Sequence, residues 1–172
     1  MKPLLPPLIA LSAAGLLASV VVHLCALAGV ANPFGPYAWA LHIGIFVVWL
    51  PAVLVMNRLT ANVAFKQNDL WKVALAGCPP WMRRMVYGFF IYAFVNFALF
   101  FALSTRLPKN RVPQAMQLRG FSGHWMAFYA AAWALLYAAG HRVTAKCASG
   151  HDASPAAKFC ERCGAPVTVS GA

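Results

Sequence analysis

Acidic residues are almost missing. The chain holds three, Asp69, Asp152 and Glu161, against 14 Lys and Arg, and carries a formal net charge of +11. None of the three falls inside a long apolar run, which removes the basis for carboxylate-driven catalysis and for proton-coupled transport through carboxylates. A nucleophile elbow, a phosphate-binding loop and a dinucleotide fingerprint are also absent. Charge of either sign is scarce: 10% of the 172 residues, where soluble domains carry about 25%. So few charges cannot cover a water-soluble fold of this size.

Hydrophobic residues make up 62% of the chain, above the roughly 45–50% of soluble domains, and they are gathered into runs. Four stretches, 8–30, 36–57, 85–105 and 121–140, are read as membrane spans because they contain no Asp, Glu, Lys or Arg. About 20 apolar residues suffice for a helix to cross a ~30 Å hydrocarbon core, and lipid leaves no partner for open backbone groups. The run from Leu8 to Val30 exceeds the 7–15 residues of a signal-peptide core, so it is read as a span rather than a cleaved leader. The expectation is an all-α membrane protein: a four-helix transmembrane domain over 1–142 and a C-terminal tail over 143–172. Within the loop 58–84, Asn68 or Asp69 is expected to cap a short helix over 70–75 that lies at the lipid interface beside Trp71 and Trp81.

Basic residues then orient the bundle. With the N-terminus cytoplasmic, the inner side holds Lys2, Arg58, Lys66, Lys72, Arg83, Arg84, Arg142, Lys146, Lys158 and Arg162. The outer side holds only Arg106, Lys109, Arg111 and Arg119. The positive-inside rule therefore puts both termini in the cytoplasm, and the inner membrane of a bacterium is the expected location.

Three of the five cysteines fall in the tail, in the order Cys147-x3-His151-x8-Cys160-x2-Cys163. A pair of cysteines two residues apart can reach one ion from a tight knuckle, and Gly164 permits the turn after it. The upstream Cys147 and His151 complete four ligands, the number zinc takes tetrahedrally at structural sites. Asp152 is the alternative fourth ligand. A disulfide suits an extracellular tail, but the charge count places this one in a reducing compartment. No βαβ pattern supports a thioredoxin-like site. The only large apolar residue here is Phe159, so metal binding must supply the folding energy that a core cannot.

The residues Cys147, Gly150-His151, Lys158-Phe159-Cys160 and Cys163-Gly-Ala-Pro166 resemble the short zinc ribbons carried by many bacterial proteins. The likeness covers about 25 residues and departs from the commonest form in its first knuckle, Cys-x3-His instead of Cys-x2-Cys. It implies a structural zinc site that holds a small module for contact with protein or nucleic acid. The residues of the tail give a net charge near zero, so nucleic acid is the poorer fit.

The functional expectation is a non-enzymatic membrane protein, tied through the ribbon to a cytoplasmic or membrane protein partner. The alternative, from a different class, is a haem- or copper-binding protein using His23, His42 and His124, which fall in the outer half of three different spans. Separate neutral histidines, each bonded to a neighbouring helix, are the preferred reading of those three. Gly15, Ser19 and His23 recur every fourth residue and are expected to face the other helices, with Gly88, Tyr92 and Asn96 repeating the spacing in the third span. Ser122 is expected to cap the fourth span, with Phe121 and Met126 as a hydrophobic staple. Cys25 and Cys78 read as packing residues.

Overall fold

The computed structural model describes residues 2–60, 67–108, 112–141, 145–153, 159–160 and 162–168. Several basic residues counted above, Lys66, Lys109, Arg111, Arg142 and Lys158, lie outside them, as does Glu161, and so do the side chains of Lys2, Lys146 and Asp152.

Four long helices dominate: α1 (Leu5–Ala28), α2 (Ala40–Thr60), α4 (Pro80–Ser104) and α5 (Gln114–Gly140). A short α3 (Leu70–Ala74) precedes α4. They are not arranged as four equal staves. Helix α5 is the centre, and α1, α4 and α2 each pack mainly against it. Its sequence explains the position: Gly120, Gly123, Ala127, Ala130, Ala131, Ala132, Ala134 and Ala138 are all buried, and small side chains let surrounding helices come close. Neighbouring side chains occupy the space that its glycines leave. The ring of Phe100 would stand 2.5 Å from a Cβ on Gly120, and Asn96 Nδ2 would stand 2.7 Å from one on Gly123. In return Tyr129 of α5 lies against Gly15 of α1 and Gly44 of α2, and its hydroxyl donates to the Leu41 carbonyl at 2.9 Å.

The outer helices point their bulk the other way. Leu17, Ile43, Ile91 and Phe94 are exposed, Phe94 by 77%, a surface that water would not tolerate as a contiguous patch. Three helices are long and apolar enough to cross a membrane, Leu5–Ala28, Gly35–Thr60 and Pro80–Ser104. Helix α5 is not one of them; its interior face is built from Ala and Gly, and Arg119, Ser122 and His124 lie in its first half.

Several boundaries differ from the sequence reading. Helix α5 starts at Gln114, after the extended Pro113, so Ser122 is interior and caps nothing; its hydroxyl donates back to the Leu118 carbonyl. Pro113, whose fixed φ suits the residue ahead of a helix, sets the start seven residues before the uncharged run. Helix α4 starts at Pro80, which puts Arg83 and Arg84 in its first turns. Asp69 does stand at the N-cap of α3, but it makes no cap hydrogen bond and pairs with Lys72 at 2.6 Å instead. The last residue of α3 and those that follow it close the end of the bundle at which α5 finishes: Ala74, Leu75 and Cys78 are buried, and Gly77 lies so close to the Ala138 carbonyl that a Cβ would come within 2.7 Å. Trp71 meets Phe90, and Trp81 meets Trp133, at the same end. The stripe Gly15, Ser19 and His23 is buried as expected. Its counterpart in α4 is only partly so, since Asn96 is buried while Gly88 meets nothing.

The tail adds a three-stranded antiparallel sheet in the order β2-β1-β3. Strand β1 is Ala145–Cys147, β2 is Asp152–Ala153 and β3 is Val167–Thr168. Ala145 pairs with Ala153 and Lys146 with Asp152, while Cys147 pairs with Val167 on the other side.

Candidate metal centre

Two tight turns build the site. The first is the β1–β2 hairpin. Cys147 N–H donates to the His151 carbonyl at 3.0 Å, and Gly150 N–H returns to the Cys147 carbonyl at 2.8 Å. Gly150 has φ of 78°, a left-handed conformation that closes a three-residue hairpin loop and that other residues adopt only under strain. The second turn repeats the device. Gly164, with φ of 71°, donates to the Cys160 carbonyl, and Cys160 donates to the Ala165 carbonyl, both at 2.8 Å. Because β3 pairs with β1, the second turn is drawn onto the first.

Four side chains converge as a result. The ligand atoms of Cys147, His151, Cys160 and Cys163 all lie within 4.8 Å of one another, a group that could hold a metal ion. Cys147 Sγ is 3.6 Å from Cys163 Sγ and 3.7 Å from His151 Nδ1, and Cys160 Sγ is 3.9 Å from that nitrogen. Around a tetrahedral ion with ~2.3 Å metal–sulfur bonds, sulfur atoms stand about 3.8 Å apart; a disulfide needs about 2.05 Å. The spacing is that of an ion's edges. The donor set fits a metal on chemistry as well. Cys163, the exposed member, has its thiol drawn down to about 6 by the Ala165 backbone N–H, then by the Ser149 hydroxyl and His151, so it stands ready as thiolate at neutral pH. Ser149, whose Oγ is 3.6 Å from Cys163 Sγ, had no signal in the sequence. Cys147 and Cys160 are each 4% exposed. His151 delivers a ring nitrogen to the group.

The three histidines of the long helices, His23, His42 and His124, form no such group among the described residues. His23 is fully engaged: Nδ1 is 2.8 Å from Ser122 Oγ and Nε2 is 2.5 Å from the Tyr92 hydroxyl. Since Ser122 spends its own hydrogen on Leu118, His23 Nδ1 donates and Nε2 accepts from Tyr92. One neutral ring therefore links α1, α4 and α5. His42 Nδ1 accepts from Trp125 Nε1 at 3.0 Å. An indole N–H can only donate, which leaves the His42 proton on Nε2, where it would block a metal. His124 stacks beside His42, with ring centroids 6.2 Å apart, and is ten residues into α5. Two of the three rings thus spend ring nitrogens on hydrogen bonds to neighbouring helices. Tyr92 was visible in its four-residue repeat; its partner was not.

Cys78 donates its thiol hydrogen to the Ala134 carbonyl at 3.1 Å, and burial pushes its thiol up to about 11. It is a packing residue. No family model, curated protein or solved structure matches the chain.

Proposed function

We infer that the chain is a non-enzymatic integral membrane protein whose tail is a zinc ribbon making contact with a protein partner, as a small subunit of a membrane assembly. The observation that carries this reading is the convergence of Cys147, His151, Cys160 and Cys163 within 4.8 Å. Three thiolates and an imidazole suit zinc best among common ions. Four protein donors leave no position for a substrate water, so the ion's role is to fold the tail.

The bundle is read as four spans. Helix α5 is as long as its neighbours at 27 residues, and three apolar helices shield it from lipid, so it does not need their hydropathy. The excess of Lys and Arg in loop 58–84 and in the tail favours both termini on the cytoplasmic side of a bacterial inner membrane. With the tail near neutral, a protein is a better partner than nucleic acid.

Elemental analysis of the purified protein tests the site. About one zinc per chain is expected, lost in Cys160→Ser. Iron or copper retained in that variant would overturn the reading. Co-purification from membranes, with Cys160→Ser as the control, then tests for a partner that depends on the ribbon.

A further inference from the structure

Phe159 is the one large apolar side chain of the tail, and the fold does not use it: it is 63% exposed. It pairs with Pro166 across an antiparallel bridge, which sets the two side chains on one face of the sheet. Pro166 and Arg162 are exposed as well. The patch is an aromatic ring and a proline, and exposed Arg162 follows Phe159 by three residues in the chain.

Its distance from the bilayer is limited. Helix α5 ends at Gly140 and β1 begins at Ala145, so the five steps between them tether the module within about 18 Å of the helix end. The half-buried Trp133 and its neighbour Trp81 mark the interfacial level on that side. Gly140 is seven residues further along, about 10 Å, near the water side of a headgroup layer some 5–8 Å deep.

We propose that Phe159 and Pro166 seat the tail module on the membrane's own surface, with the ring in the lipid headgroup–acyl boundary and Arg162 among anionic headgroups. The inference rests on the membrane reading given above. Patch size decides between lipid and a separate protein. A stable protein interface takes about 800 Å² from each partner, far beyond one ring and a proline. A tethered contact is intramolecular, and its high effective concentration lets a small patch suffice. An aromatic ring and a snorkelling arginine are also the residues that settle at a lipid interface. The proposed seating has the hairpin tip at Ser149 face water.

The test is photo-crosslinking of the full-length protein in vesicles containing anionic lipid. The probe p-benzoylphenylalanine is placed singly at Phe159, at Ser149 and at Phe94. Ser149 is exposed and lies at the same end of the sheet, since Ala148 N–H bonds to the Pro166 carbonyl; it therefore shares the reach of the tether. Phe94 reports the lipid-facing surface. Zinc content of each variant shows whether the tail is folded. Lipid adducts are expected at 159 and 94, with at least about tenfold fewer at 149, as suits one-sided seating. Adducts at 94 but not at 159, equal labelling of 159 and 149, or a protein adduct at 159 would each overturn the seating. No lipid adduct at 94 would overturn the membrane reading itself.

Discussion

Tyr92 donates its hydroxyl hydrogen to His23 Nε2 over 2.5 Å, and this bond joins two helices that otherwise meet mainly through α5. With Ser122 on the other ring nitrogen, His23 is a three-helix connector. Tyr92→Phe removes one bond and is expected to cost about 1 kcal/mol, typical of interhelical hydrogen bonds in membranes. His23→Ala also leaves a hole and two stranded partners and should cost about 2–4 kcal/mol. Unfolding in detergent, followed by circular dichroism, measures both; equal effects would show that the ring's second bond contributes nothing.

Two glycines separate packing from propensity. At Gly15 an added methyl meets the Tyr129 ring, whereas at Gly88 it meets nothing within 4 Å. Gly15→Ala is expected to destabilise by about 1–3 kcal/mol through overpacking. Gly88→Ala is expected to be neutral or stabilising by up to about 1 kcal/mol. A comparable loss of thermal stability in both would contradict central packing on α5.

The fourth ligand can be read by exchange. His151→Ala is expected to lower zinc content well below one per chain, and Asp152→Ala to leave it unchanged. Atomic absorption on the purified variants decides, and metal loss in the Asp152 variant alone would reverse the assignment.

Chelation should act locally. Removing the ion is expected to open the tail to protease, cutting between β2 and β3, while the helical circular dichroism of the bundle changes little. The reason is that the tail has no core to fall back on, whereas α5 is packed independently of it. Collapse of the helical signal on chelation would show the two parts to be one cooperative unit.

Thiol chemistry separates the cysteines by pH. A thiolate is the nucleophile, and Cys78 is pushed up to about 11 by burial; its thiolate fraction at pH 8 is on the order of one in a thousand. In chelator-treated protein, alkylation at pH 8 should reach exposed Cys163 first and leave Cys78 unmodified until the bundle unfolds. Because the shift is upward, any reaction of Cys78 grows as pH rises toward 11. Mass spectrometry of the alkylated peptides gives the order, and early labelling of Cys78 would refute its burial.

Much of this was legible in residue order, for physical reasons that also explain the misses. Lipid demands long uncharged helices, so the outer three announced themselves. The ligand spacing 147, 151, 160, 163 was readable because two short turns bring such residues to one point whatever surrounds them. Arg119 bounds the uncharged run, so residue order places the start of α5 seven residues late, yet a half-buried arginine near a helix end can reach the interface. Its central position was hidden too: hydropathy measures affinity for lipid and cannot see that Ala and Gly serve a helix wrapped by others. Gly88, Tyr92 and Asn96 share the spacing of the buried stripe Gly15, Ser19 and His23, yet of the three only Asn96 is buried, bonded to the Arg119 carbonyl of α5, because spacing names a stripe and not the helix that covers it.

The position of α5 also bears on how the protein is made. Its three companions emerge from the ribosome first, and each is apolar enough to enter a bilayer unaided. The last helix is poor in large apolar groups and carries an arginine, so it gains most by partitioning into a niche that the others have already assembled. Biogenesis would then be ordered: three self-inserting segments make a socket, the core helix follows as the plug, and the tail leaves the exit tunnel after it.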